Sequence, residues 1–322
     1  MRRPLAVAAG LILAAALLAG CGGTSNRALD ASLVALNVHA PSPSPSPSSP
    51  SPPAPACGEV TASLRPPATL PPADLMPTGS YMATIQRRGY LIAGVDQNTL
   101  RFAYFNPLDS KLEGFEIDVA RELARAILGD PSKVRFKVIT TDQRVPDVQN
   151  GSVDVVIDAF TITCARKQQI DFSTVYYNAG QKLLVPVGSP IHGVADLAGK
   201  RVCATTGSTS LANIERLAPK AIPVKVPQRT DCLVDLQQGT ADAVTSDDSI
   251  LLGFEAQDPY TRIVGASFSP QPYGIGINKD HPEFVRFVNG VLEQMRADGT
   301  WARIYSHWLG TPPPPPTPHY SG

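Results

Sequence analysis

DVVIDAFTITCARKQQIDFS, residues 154–173, changes character halfway along its length. Val155, Val156 and Ile157 form an uninterrupted apolar run, the pattern of a strand buried on both faces. Immediately beyond it stand Asp158, Thr161, Thr163, Cys164 and Arg166. In an open α/β sheet, ligands bind just outside the carboxyl ends of the strands. A buried strand that delivers an acid, two hydroxyls and a guanidinium to that position therefore points to an open α/β sheet with a polar site at the strand ends.

The sequence on either side fits such a sheet. YLIAGVD (90–96) and KVRFKVIT (133–140) read as strands. Between them GFEIDVARELARAIL (114–128) places Phe115, Val119, Leu123 and Ile127 on one helical face. RVPDVQNG (144–151) is a short helical turn that stops on Gly. The plan then restarts with a strand and helix over 196–218, a strand over 221–227, a helix over 230–240 and a strand with acids at its end over 241–248. A strand at 273–280 and helices over 281–310 complete it. Strands alternating with helices imply βαβ units and mainly parallel sheets, here in two similar α/β lobes. Asp96, the 158–166 segment, the 205–210 turn and Asp247 all fall at strand ends.

The ends of the chain are different material. Arg2 and Arg3 precede an apolar run from Leu5 to Leu18, and LAGC closes at Cys21. This is the layout of a secretory signal, residues 1–20, and its end resembles the bacterial lipobox, in which the Cys becomes the lipidated first residue. The run is short for a membrane span. Residues 21–56 hold the Pro/Ser-rich linker, whose PSPSPSPSSPSPPAPA stretch would extend roughly 50 Å. The tail TPPPPPTPHYSG (311–322) reads as the same kind of spacer. Lysines plus arginines equal aspartates plus glutamates at 28 each, and no basic block occurs, which argues against nucleic acid. No other apolar run approaches the length of a transmembrane helix. With Cys21 set aside, Cys57, Cys164, Cys203 and Cys232 remain. None has CxxC spacing, so no metal site is expected, and in an exported chain an even count favours two disulfides.

GFEIDVAREL, RVPDVQNGSVDVVIDAFTITCARKQQIDFSTVYY, DLAGKRVCATTGSTS, LQQGTADAVTSDD and YGIGINKDHPEF, taken together and in order, resemble the bacterial extracellular solute-binding proteins of family 3, which bind polar amino acids. The nearest likeness is to the glutamine/glutamate-binding lipoproteins of actinobacteria. It covers residues 80–310. It implies a two-lobed, type II periplasmic-binding-protein fold with the ligand in the interlobe cleft. Lobe 1 is expected over 81–184 after an extension at 57–80, lobe 2 over 185–273, and a return to lobe 1 over 274–310. The two hinge crossings are expected near 184–188 and 271–276.

The resemblance also carries roles residue by residue. A free amino acid is a zwitterion, and its α-carboxylate needs charge-assisted donors. Arg166 and Thr161 match the family's carboxylate grip in one lobe. Ser208 and Thr209, at a helix N-terminus, match it in the other. Asp247 and the Ala159 carbonyl match acceptors for the α-ammonium, with Asp248 read as a cap for the next helix. For the ligand side chain the candidates are Asp96, Arg144, Thr141, Arg229, Arg101, Phe102 and Asp158. Phe102, like Tyr104, fits either pocket or core. Asp158 fits an ammonium acceptor or, preferred, a partner that orients an arginine such as Arg144. Asp96 would read an amide and Arg144 a carboxylate or amide, so Asn, Gln, Asp and Glu are all expected ligands. Family glutamine binders often carry an aromatic where Thr141 stands, which counts against strict glutamine selectivity. Sequence alone allows three cysteine pairings. Cys203 and Cys232 fall in one lobe, where a local pairing is easy, and joining Cys57 at the end of the spacer to Cys164 would pin the 57–80 segment on lobe 1, so Cys203–Cys232 and Cys57–Cys164 are favoured.

These readings describe a monomeric protein, lipid-anchored on the extracytoplasmic face of the cell membrane. It would use no cofactor and would pass its amino acid to an ABC permease or report it to a membrane sensor. The rival from another class is a periplasmic enzyme on the same fold, of the prephenate dehydratase type. No Gly-x-Ser-x-Gly, HExxH or complete GxGxxG supports it, and His192, His281 and His307 fall away from the expected cleft.

Overall fold

The computed structural model describes residues 57–321; the leader, Cys21 and the Pro/Ser-rich segment lie outside the described residues. Two five-stranded sheets organise the chain. In the first, the spatial order is Val134–Val138, Leu91–Val95, Val155–Val156, Gly276–Ile277 and Asp171–Phe172. The first three strands run parallel and Gly276–Ile277 runs antiparallel to both its neighbours. In the second, the order is Ile222–Val226, Arg201–Thr205, Ala243–Asp247, Tyr177–Pro186 and Thr261–Tyr273. Again three strands are parallel, and the last two join antiparallel. The apolar runs sit where parallel strands require them: Val155, Val156 and Ile157 are fully buried.

Helix Phe115–Leu128 buries Phe115, Ile117, Val119, Leu123 and Ile127 against the first sheet and ends on Gly129 in the left-handed conformation. Helices Pro282–Ala297 and Thr300–Leu309 return to this lobe. Buried Trp301 packs on Phe115 and donates its indole N–H to the Tyr176 carbonyl at 2.9 Å. No described helix is long and apolar enough to cross a membrane. Both disulfides take the favoured pairing, Cys57–Cys164 and Cys203–Cys232.

Two expectations are corrected. The outgoing crossing lies earlier than 184–188. From Gln181 onward the strand Tyr177–Pro186 is paired with Ala243–Asp247, and Leu183 and Val185 fill the second lobe's core. The chain therefore changes lobes within Tyr177–Gly180, alongside Pro270–Tyr273 returning. Leu183 and Leu184, expected at the end of lobe 1, are core strand of the second sheet.

The Pro-rich tail is also not a spacer throughout. Tyr320–Ser321 pairs in parallel with Ser63–Leu64 of the N-terminal extension. The Tyr320 hydroxyl donates to Glu293 at 2.6 Å, the Arg65 guanidinium lies over the Tyr320 ring, and His319 meets Glu59. Ser63 in turn donates to the Phe172 carbonyl at the edge of the first sheet. The extension and the tail thus form a clasp on lobe 1.

Candidate functional site

The strand Val155–Val156 ends in a turn at which Ala159 adopts φ 42°, in the left-handed region that a Cβ disfavours. Glu116 holds this turn: one carboxylate oxygen accepts the Ala159 N–H at 2.7 Å and the Tyr176 hydroxyl at 2.5 Å. Phe160, Thr161 and Ile162 then run along the returning hinge strand, with Thr161 bridged to Tyr273. Thr163 caps the four-residue helix Cys164–Lys167 by accepting the Arg166 N–H. That helix aims Arg166 at the gap between the lobes.

The half-buried Arg166 guanidinium donates to the Thr161 carbonyl at 2.6 Å and, across the gap, to the Gly207 carbonyl at 3.1 Å; it meets no carboxylate among the described residues. Burial, with Arg144 nearby, pushes its pKa down to about 9. Opposite it begins helix Thr209–Leu217. Thr209 Oγ1 donates to Gln271 at 2.8 Å and lies 3.5 Å from Thr161 Oγ1 of the other lobe. The Ser208 hydroxyl is engaged within its own lobe. It caps the helix, accepting the Leu211 N–H and donating to the Thr205 carbonyl.

Asp247 is buried at the end of its strand. One oxygen accepts the Tyr273 hydroxyl at 2.7 Å, while Oδ1 has no hydrogen-bond partner among the described residues. Burial pushes this carboxyl up to about 6, although the Tyr273 bond pulls it back. Asp248 is the first residue of the following helix; its carboxylate accepts the Ser249 and Gly180 N–H groups.

Between these groups lies a buried charge cluster. Arg229, the first residue of helix Arg229–Gln237 in lobe 2, reaches lobe 1. There its Nη1 stands 2.7 Å from Asp158 Oδ1 and 3.0 Å from Asp96 Oδ2. It also donates to Thr99 Oγ1 and the Asp158 carbonyl. Thr99 itself donates to Asp96. Burial works against the charge on Arg229, but Asp158 and Asp96 outweigh it and hold its pKa above the ordinary value. Arg144 donates to the carbonyls of Thr141, Asp158 and Ala159, with its Nε 3.9 Å from Asp158. The Arg144 and Arg166 guanidinium carbons lie 4.7 and 4.9 Å from the Phe160 ring centroid.

The structure thus brings together Asp96, Thr141, Arg144, Asp158, Ala159, Thr161, Arg166, Thr209, Arg229 and Asp247. It sets two candidates apart. Arg101 is exposed on a turn between short strands, with φ 71° and no bond to the cluster. Phe102 is core, edge-on to Tyr177 at 5.0 Å and against Phe115. Asp158 orients a guanidinium, but its nearer partner is Arg229 rather than Arg144, and one lone pair of the Ala159 carbonyl is taken by Arg144. Sequence reasoning missed Glu116, Thr99, Tyr273 and Gln271. Of these only Glu116 left a signal, an acid flanked by Phe115 and Ile117 on an otherwise apolar helix face.

Residues 91–311 match the sequence profile of the bacterial extracellular solute-binding proteins, family 3. The ABC transporter glutamine-binding protein GlnH of Bacillus subtilis (strain 168) is 37% identical over 233 residues, covering 72% of this chain and 85% of that protein. A glutamine-binding protein of Geobacillus stearothermophilus is 41% identical over 203 residues, covering 63% and 78%. Among solved structures, an ancestral arginine-binding protein bound to glutamine superposes with a TM-score of 0.64 at 36% identity, covering 69% of this chain and 99% of that one.

Proposed function

The chain belongs to the bacterial extracellular solute-binding proteins of family 3, and from that premise we propose that its solute is a polar or acidic amino acid: Asn, Gln, Asp or Glu. The observation that carries the reading is a matched pair of incomplete groups. Among the described residues, Arg166 is a guanidinium bonded to carbonyls and to no carboxylate, and Asp247 is a buried carboxylate with one oxygen unpartnered. Buried charges are ordinarily paired, so the two together call for one ligand that carries both an anion and a cation. An α-carboxylate would lie on Arg166, Thr161 and the helix start at Thr209. An α-ammonium would lie on Asp247, with the Ala159 carbonyl beside it. Asp96, Thr141, Arg144, Asp158 and Arg229 surround the ligand side chain.

Because the grips come from both lobes, a ligand that engages them stabilises the closed arrangement over the open one. A lipid on Cys21, the first residue once the leader is removed, would anchor the protein to the outer face of the membrane, from where it would hand its amino acid to an ABC permease. Thermal-shift screening of the full chain against the twenty amino acids tests the ligand class. Saturating Asn, Gln, Asp or Glu is expected to stabilise the wild type, by about 2.7 kcal/mol at a hundredfold excess over Kd. Arg166→Ala is expected to lose the response. A shift with apolar or basic amino acids alone would refute the reading.

A further inference from the structure

We propose that Arg229 is a resident cation that sets the ligand class: from lobe 2 it fills a two-carboxylate slot on lobe 1, so that basic side chains are refused. This rests on the amino-acid reading above. If Arg166 and Asp247 serve the α-groups, the side-chain part of the site holds Asp96 and Asp158 against Arg144 and Arg229. All four are buried, with no residue more than 7% exposed. Two acids and two guanidinium groups balance, and a neutral ligand side chain leaves them balanced. Glu116 does not disturb the count, because it lies behind the turn and is spent on the Ala159 N–H and the Tyr176 hydroxyl.

The two arginines are not equivalent. Arg144 is bound mainly to backbone carbonyls, at 2.8, 3.0 and 3.1 Å, and is 3.9 Å from its nearest carboxylate. Arg229 is the close partner of both acids at once, at 2.7 and 3.0 Å. Its guanidinium is held by Asp96, Asp158, Thr99 and a backbone carbonyl. That is a cradle for a guanidinium or ammonium, and the protein supplies the occupant itself. The cradle and its occupant belong to different lobes, so the slot is filled only when the lobes meet. A basic ligand would have to displace Arg229 and leave a buried guanidinium without a partner, which is strongly unfavourable. Take Arg229 away, and two buried carboxylates face one distant arginine. The side-chain space then carries a net negative charge that a lysine or arginine ligand would neutralise.

Calorimetric titration of the full chain with glutamine, arginine and lysine tests this. The wild type is expected to bind glutamine and neither basic amino acid. Arg229→Met keeps the aliphatic length and removes the charge. It is expected to bind arginine or lysine roughly tenfold or more tighter than the wild type does. Combining it with Asp158→Asn restores neutrality and should abolish the gain. Arg229→Lys retains the charge, supports folding if the methionine variant does not fold, and should continue to refuse basic ligands. A wild type that takes arginine as readily as glutamine overturns the proposal. So does a folded methionine variant with no gain, a gain that survives Asp158→Asn, or a lysine variant that accepts arginine. A wild type that binds no amino acid would instead refute the functional reading itself.

Discussion

Glu116 is a carboxyl group on the apolar face of a helix, 1% exposed, and its environment fixes how the fold responds to pH. Burial pushes its pKa from 4.5 up to about 7, Asp158 adds to the rise, and the bonds from Tyr176 and Ala159 pull it back. In the folded chain it thus keeps a proton that the unfolded chain has already released. Its effect on stability is therefore absent below pH 4.5 and grows as pH rises to about 7, where the folded protein is weaker by about 3 kcal/mol. Glu116→Gln keeps an amide oxygen for the Ala159 N–H and the Tyr176 hydroxyl but cannot titrate. Urea unfolding at about pH 5 and about pH 7.5 should show the wild type losing stability relative to the variant across that interval. Parallel profiles would mean that Glu116 does not titrate there. The acid itself was visible in GFEID, but not its burial, because the partners that bury it lie 43 and 60 residues away.

At the level of elements, what could be read was what has a period. The helix face of Phe115, Val119, Leu123 and Ile127 and the apolar strand at 155–157 both follow from spacing. The terminal clasp does not. Ser63–Leu64 and Tyr320–Ser321 are two residues each, set among prolines, and two residues carry no pattern. The outgoing crossing was misplaced for a related reason: a single strand serves the hinge and the second sheet, with no break at the boundary. The clasp is nonetheless tied covalently to the segment that carries Arg166, since Cys164 opens that short helix. The Cys57–Cys164 link spans 107 residues and Cys203–Cys232 spans 29. On the loop-entropy account the longer closure stabilises by about 5 kcal/mol and the shorter by about 3.5 kcal/mol. Guanidinium unfolding of the paired Cys→Ser variants should rank them in that order. The reverse order would show that the extension adds less to the fold than its bonds to Phe172, Asn289 and Lys167 suggest.

At the scale of the whole molecule the question is what lets two lobes approach, and Gly207 bears most directly on it. Its carbonyl receives Arg166 from lobe 1, and a Cβ placed on it would stand 3.0 Å from the Asp142 Cα and 3.1 Å from its Cβ. Those Asp142 atoms belong to the other lobe and include backbone, so they cannot swing aside. Gly207 also has φ 74°, which by itself disfavours alanine by about 1–2 kcal/mol. Two effects are therefore mixed in Gly207→Ala, a local strain and a block on closure. Gly199 separates them: it has φ 73° in the same lobe, and nothing lies within 4 Å of its added Cβ. Both alanine variants should lose a similar, small amount of stability. Only Gly207→Ala should bind its amino acid more weakly, because apparent affinity scales with the fraction of molecules able to close. A few tenths of an ångström of forced separation at a contact shared by Arg166, Thr161 and Thr209 is expected to weaken binding by roughly tenfold. Calorimetry with glutamine on the two variants reads the difference directly. Equal affinities would show that the approach at Gly207 is incidental to closure.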